Sequence, residues 1–110
     1  MRVAVIGSRG LTVDDLGIYL PVDTTEIISG GANGIDTCAR NYAISHNIKL
    51  TEFLPEFDKY GRSAPLKRNL TIIQNAELVI ALWDGTSHGT KFVIDKCGEM
   101  GVAIKTFVFN

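Results

Sequence analysis

Ser29-Gly30-Gly31-Ala32-Asn33-Gly34-Ile35-Asp36 is the stretch whose reading decides the fold. It follows Thr24-Thr25-Glu26-Ile27-Ile28, a β-branched run that reads as a strand. It leads into Ile35, Cys38, Ala39, Tyr42 and Ala43, apolar or small residues at i, i+3, i+4, i+7 and i+8, the spacing of one helix face. A strand running through a glycine-rich turn into a helix is the junction of a β/α unit. Three glycines in five positions leave little side-chain bulk, so backbone N–H groups there can approach a ligand closely. The helix N-terminus adds unpaired N–H groups and a partial positive charge. The combination suits a phosphate or another anion. The turn lacks the Gly-Lys-Ser/Thr of a Walker A loop and the G-x-G-x-x-G spacing of a dinucleotide fingerprint.

The same alternation extends outward in both directions. A first strand is expected over Arg2–Ile6, then a short helix over Val13–Leu20 with Leu16, Tyr19 and Leu20 on one side and Pro21 after its end. A strand over Thr25–Ser29 and a helix over Gly34–His46 follow, with Asn47 as its stop. Next come a strand over Lys49–Leu54 closed by Pro55, a loop over 55–63, and a helix over Pro65–Asn75 with Pro65 in its first turn. Leu78–Leu82 is uniformly apolar, as a strand covered on both faces should be. A helix over Thr90–Met100 burying Val93, Ile94 and Cys97, and a strand over Val102–Phe109, complete the chain. Five strands with helices between them predict an α/β fold, a mostly parallel five-stranded sheet with helices on both faces. Ligands in such sheets bind outside the carboxyl ends of the strands. The loops after the first, second and fourth strands therefore carry the functional weight.

A chain of 110 residues supports one domain with one core and not two. No apolar run approaches the roughly 20 residues of a membrane-spanning helix, so no membrane partner is expected. The chain starts directly on a strand pattern, which reads as having no signal peptide. Cys38 and Cys97 both fall on apolar helix faces and read as buried free thiols, which suits a cytoplasmic location. Two cysteines and two histidines scattered along the chain make no zinc set, and neither a metal nor a cofactor is expected. A net charge of −1 argues against a protein that grips nucleic acid by bulk electrostatics. Residues 1–58 nevertheless carry four Lys/Arg against eight Asp/Glu, and residues 59–110 seven against four. Lys59, Arg62, Lys67, Arg68 and Lys91 thus read either as a local basic patch or as solvated helix faces.

After the first strand, Gly7-Ser8-Arg9-Gly10 sets a hydroxyl and a guanidinium between glycines, and Arg can clamp phosphate oxygens with two parallel hydrogen bonds. Asp36 falls in the first turn of its helix, where it serves the helix dipole, a neighbouring loop or ribose hydroxyls. After the fourth strand, Trp83-Asp84-Gly85-Thr86-Ser87-His88-Gly89-Thr90 is a second glycine- and hydroxyl-rich turn entering a helix, with Thr90 at the N-cap or in the first turn. Trp83 reads as a base-stacking surface or as wall. Asp84 is the best-placed carboxylate for sugar contact or acid–base work. His88 reads as a loop histidine facing solvent, with a ligand contact as the alternative. Lys67-Arg68-Asn69 opens the helix next to the loop Glu56–Ser63, and that loop, folded over the strand ends, would turn Arg68 toward the same cleft.

Gly-Ser-Arg after the first strand, Ser-Gly-Gly-Ala-x-Gly-Ile-Asp after the second, Lys-Arg-Asn opening a later helix and Trp-Asp-Gly…Gly-Thr after the fourth occur here in that order. In this the chain resembles, over essentially its whole length, the SLOG superfamily and within it the small YspA/YpsA-related proteins. The first two pieces are also similar to the single-stranded-DNA-binding protein DprA. The resemblance implies a single Rossmann-like three-layer domain over residues 1–110 that binds nucleotides, nucleotide-derived signals or related phosphorylated ligands. It implies a phosphate-facing wall of Arg9, Gly30, Gly31, Gly34, Gly89 and Thr90, completed by Arg68 and Asn69. With the loop readings, the expected ligand site comprises Gly7, Ser8, Arg9, Gly30, Gly31, Ala32, Gly34, Asp36, Arg68, Asn69, Trp83, Asp84, Gly85, Ser87, Gly89 and Thr90. Related LOG-type phosphoribohydrolases use a Gly-Gly-x-Gly-Thr-x-x-Glu turn to cleave nucleotide N-glycosidic bonds. Here Val93 occupies the glutamate's place, so such cleavage would need Asp84 or Glu56 as the catalytic carboxylate. The expected function is binding of a nucleotide-derived small molecule, as a sensor or carrier. Nucleotide hydrolysis and single-stranded DNA binding are the alternatives. The weakly charged run Val102–Asn110 and the apolar stripe Leu66, Leu70 and Ile73 add a homodimer to the expected partners.

Overall fold

Strand β1 (Arg2–Gly7) alternates its side chains between two cores, and this fixes the layering. Val3 and Val5 point into one core with Ile27, Leu78, Ile80 and Leu82, whereas Ala4 and Ile6 point into the other with Ile28 and Val79. A computed structural model describes all 110 residues. Strands β2 (Glu26–Ser29), β3 (Lys49–Glu52), β4 (Leu78–Trp83) and β5 (Ile104–Val108) join β1 in one sheet of order β3-β2-β1-β4-β5. Every pairing is parallel; Val3 lies opposite Ile27 on one side and Leu78 on the other.

Helix α1 (Ile35–Ser45) covers the first face through Ile35, Ala39 and Ala43, one residue per turn, two of them small enough to bring helix and sheet close. The second face is covered by α3 (Ala64–Asn75) and α4 (His88–Met100), which contribute Ile72, Ile73, Val93 and Cys97. Both cysteines are free; Cys97 is fully buried, and Cys38 is only half-buried, with its thiol against the Val13 carbonyl oxygen at 3.7 Å. Burial pushes the Cys97 thiol pKa up. No helix is long and apolar enough to cross a membrane.

Two expected elements differ. The helix expected over Val13–Leu20 is a single 3₁₀ turn, Leu16–Tyr19. Asp15 accepts the Gly17 N–H at 3.0 Å, which caps the turn after its entry, and Gly17 and Pro21 oppose propagation. The turn still does the work of a helix. Leu16 is buried, and Tyr19 lies edge-on to Phe107 and Phe109 at 4.9 and 5.9 Å, covering the β5 side of the first face. The loop expected over 55–63 instead contains the one-turn helix α2 (Phe57–Tyr60) and a 3₁₀ turn over 61–63 that runs into α3. Gly61, with φ of +56°, makes the join. Smaller shifts follow from capping: α4 starts at His88 because Ser87 is extended before it, and β3 ends at Glu52.

From β1 the chain builds outward to β3, then crosses back through α3 to place β4 on the other side of β1. Successive connections therefore leave β1 and β4 in opposite directions. The gap between their following loops is the switch point at which open α/β sheets bind ligands.

Candidate functional site

At that switch point lies a cleft of about 370 Å³, within the size range of small-molecule sites. Four segments line it: Gly7-Ser8-Arg9-Gly10 after β1, Ala32 and Asp36 where α1 begins, Arg68 and Asn69 with Pro65 and Leu66 in α3, and Asp84, Ser87, Gly89 and Thr90 after β4. Eleven of the sixteen expected site residues thus meet in one place, drawn from segments up to 83 positions apart in the chain.

Ser8 stitches the two principal loops together. Its buried hydroxyl accepts the Asp84 N–H at 3.0 Å and lies 2.7 Å from the Ser87 hydroxyl. Ser87 is the N-cap residue of α4, yet its hydroxyl is engaged with Ser8 and makes no cap. The first-turn N–H groups of His88, Gly89 and Thr90 consequently have no partner within the chain. These are the donors, with the positive end of the helix dipole, that bind anions.

Asp84 closes its own loop by accepting the N–H groups of Thr86 at 2.9 Å and Ser87 at 2.8 Å. Those two donors hold its carboxyl down to about 2, so it is ionised throughout the physiological range. Asp36 behaves oppositely. Burial pushes its carboxyl above the ordinary range, against the Ala32 N–H, donated at 3.1 Å, and the Arg68 charge. Asp36 therefore tethers the loop preceding α1 while facing the cleft.

The two arginines have different surroundings. Arg68 reaches under the strand ends and donates through Nη1 to the carbonyl oxygens of Gly30 at 2.6 Å and Phe53 at 3.4 Å. Its Nε is buried without a partner. Burial lowers the guanidinium pKa, Asp36 opposes this, and the nearby positive Arg9 adds to the lowering. Arg9 is exposed and makes no hydrogen bond or ion pair within the chain. Two buried neutral side chains share that freedom. Asn69, 8% exposed, and Thr90, 3% exposed, both line the cleft and make no side-chain hydrogen bond inside the protein. Arg68 Nε is the one fully buried side-chain polar atom without a partner, so the Asn69 and Thr90 polar atoms open onto the cleft, where they are free for the polar atoms of a ligand.

The remaining expected site residues stand elsewhere. Gly30 lies against the Arg68 guanidinium, which occupies the place a Cβ would take. Gly34, at φ of +73°, lies beneath the carbonyl oxygens of Ser8 and Arg9. Gly30 and Gly31 instead line a second hollow beside the cleft. Trp83 turns its indole N–H to the Ser87 carbonyl oxygen at 2.9 Å and does not line the cleft. Gly85, at φ of +86°, shapes the Asp84 turn near Val108 and Asn110. Glu56 is exposed on a separate groove beside Tyr60 and Lys67, away from Arg9 and Asp84. Val93 is fully buried in the second-face core, so its position directs no side chain into the cleft. His88 is exposed at the first position of α4.

The candidate basic patch is dispersed. Arg68 is turned inward, Lys91 pairs with Asp95 at 2.8 Å, and the Lys59 and Lys67 ammonium groups lie near the Tyr60 ring at 5.1 and 5.8 Å from its centroid. Pro65, Leu66 and Gly10 line the cleft without having been expected there. The available signal for the first two was their position three and two residues before Arg68 in the same helix. No protein-family model matches this chain, and neither a curated protein nor a solved structure resembles it significantly, so its affiliation rests on its own fold: a parallel five-stranded Rossmann-like α/β sheet.

Proposed function

We propose that this protein binds a phosphorylated small molecule, a nucleotide or nucleotide derivative, in the cleft at the β1/β4 switch point. The observation that carries this reading is a set of free polar groups converging on one cleft: the side chains of Asn69 and Thr90, which have no partner within the chain, the unpaired Arg9, and the uncapped first turn of α4. Phosphate fits the α4 N–H groups and Arg9. Asn69 and Thr90 then serve the hydroxyls or base edge of the remainder.

Thermal denaturation with a panel of ribonucleotides, cyclic nucleotides and nucleotide sugars tests the reading. A ligand at about a hundred times its dissociation constant stabilises by roughly 2.7 kcal/mol, which raises the melting temperature of a 110-residue domain by about 12 °C. That shift should disappear in Arg9→Ala and in Thr90→Val. A panel that leaves the transition unmoved at millimolar concentration removes the reading.

A second reading, cleavage of the bound ligand at its glycosidic bond, draws support from the two carboxylates lining the cleft. Asp84 is held ionised and Asp36 is pushed toward its protonated form. Opposed environments of this kind separate a charge-stabilising carboxylate from a proton donor. Release of free base, lost in Asp84→Asn and in Asp36→Asn, is the expected signature, and intact nucleotide after long incubation eliminates it.

A further inference from the structure

Beside the cleft lies a second hollow of about 340 Å³. The two share Arg9, Ala32 and Arg68, so the guanidiniums stand on the ridge between them. The far wall of the second hollow is apolar and built from Leu54, Pro55 and Phe57. Leu54 is 62% exposed and Phe57 59% exposed, an unusual amount of large apolar surface to leave facing water at one rim. The glycine turn makes room for this wall. Gly31 has φ of +70°, a conformation that favours glycine, and Leu54 Cδ2 lies 2.5 Å from where a Cβ would stand, so the leucine tip rests across the turn. Phe57 is carried by α2, the helical turn that the strand-end loop forms over the same region.

We propose that the second hollow receives the second, planar half of a two-part ligand whose anionic diphosphate bridge crosses the Arg9 ridge. The ligand class is then a diphosphate-linked dinucleotide or a nucleoside diphosphate carrying a second ring. This rests on the cleft binding a nucleotide and extends it by naming what lies beyond the phosphate. Three observations select this occupant. The unpaired Arg9 matches a bridging anion in charge, and Arg68 adds a second positive charge beside it. The hollow adjoins the cleft, with Arg9, Ala32 and Arg68 common to both linings. Beyond the two arginines of the ridge, its lining offers an aromatic ring, aliphatic contacts and a single hydrogen-bonding side chain, Asn33, which favours stacking over a second polar headgroup.

The test is calorimetric titration of the intact protein with the four ribonucleoside 5′-monophosphates and their symmetric 5′,5′-diphosphate-linked dinucleotides. At least one dinucleotide should bind ten times more tightly than its mononucleotide or better, the order expected of one base stacked on an aromatic ring. Phe57→Ala should bring that affinity down toward the mononucleotide's, with the melting temperature recorded alongside because Phe57 is exposed and its truncation spares the cores. Magnetization transfer between the Phe57 ring protons and the second base gives an independent measurement. If a mononucleotide binds and its dinucleotide binds no tighter, the second hollow is refuted while the cleft stands. If no nucleotide of either kind binds, both fall. If Phe57→Ala alters only a monomer–dimer equilibrium seen by sedimentation, the apolar wall belongs to a second copy of the chain and the proposal is overturned.

Discussion

Exchanging Arg68 for methionine separates two roles that arginine plays at phosphate sites, and the structure assigns the stabilising one to Arg68. Its Nη1 makes one short hydrogen bond, 2.6 Å to the Gly30 carbonyl oxygen, and one long bond, 3.4 Å to that of Phe53. A hydrogen bond from a charged donor contributes roughly 1.5–3 kcal/mol net. The long bond adds little, and the desolvation that lowers the guanidinium pKa offsets part of the total, which places the loss in Arg68→Met at about 2 kcal/mol. The unfolding entropy of roughly 2.1 cal/mol/K per residue, over 110 residues, converts this to a fall of about 9 °C in melting temperature. Arg68→Lys keeps one donor for one carbonyl and should lose about half as much. Arg9→Ala should do the reverse: an exposed, unpaired arginine changes stability by less than about 0.5 kcal/mol, while ligand binding is lost. Differential scanning calorimetry of the three variants, with and without the best nucleotide, reads both effects. The reasoning is refuted if Arg68→Met melts within about 2 °C of the natural protein and yet loses ligand as completely as Arg9→Ala. Arg68 would then be a ligand-binding arginine and not a strut between strand ends.

Other expectations follow from single contacts. Ser8→Ala strips the part-buried Asp84 N–H of its acceptor and should cost about 1 kcal/mol; it also frees the Ser87 hydroxyl to cap α4, so nucleotide affinity should fall as well, measured by urea denaturation and titration. Gly34→Ala forces a Cβ against the Ser8 carbonyl oxygen, 2.5 Å away, and that of Arg9 at a φ of +73°, and should destabilise by at least about 2 kcal/mol or prevent folding; an unchanged denaturation midpoint would contradict the close approach of the two loops. Asp84 has a folded pKa depressed to about 2, so its contribution to stability is present above its unfolded value near 3.8 and is lost as pH falls toward 2. Asp84→Asn should flatten the stability profile between about pH 4 and pH 2, and a profile of unchanged slope would show that the Thr86 and Ser87 N–H groups do not hold the carboxylate.

The sheet and its order of elements were legible in the chain because both signals are local. Apolar Leu78–Leu82 reads as a buried strand wherever it is placed, and the Ile35, Ala39 and Ala43 spacing defines a helix face without reference to a partner. Convergence of the loops after β1 and β4 was legible too, through the general rule for parallel sheets. The 3₁₀ turn at Leu16–Tyr19 and the helical turn at Phe57–Tyr60 were not, because a one-turn element is too short to show the periodicity of a helix face. Tyr19 is ordered by Phe107 and Phe109, which lie almost ninety residues further along the chain.

The sequence by itself determined the residue types at the strand ends: glycines, hydroxyls, two arginines and two carboxylates. Which of them remain free for a ligand was decided by tertiary structure alone. Gly30 and Gly34 look alike as open backbone, yet one accommodates Arg68 and the other lies beneath the carbonyls of Ser8 and Arg9. Arg9 and Arg68 look alike as phosphate clamps, yet only Arg68 finds carbonyl oxygens to hold. The reason is that a hydrogen-bonding side chain is available only when nothing else in the folded chain satisfies it. That depends on neighbours brought together from distant segments, as when Ser8 draws the Ser87 hydroxyl away from the end of α4 and leaves its N–H groups unpaired.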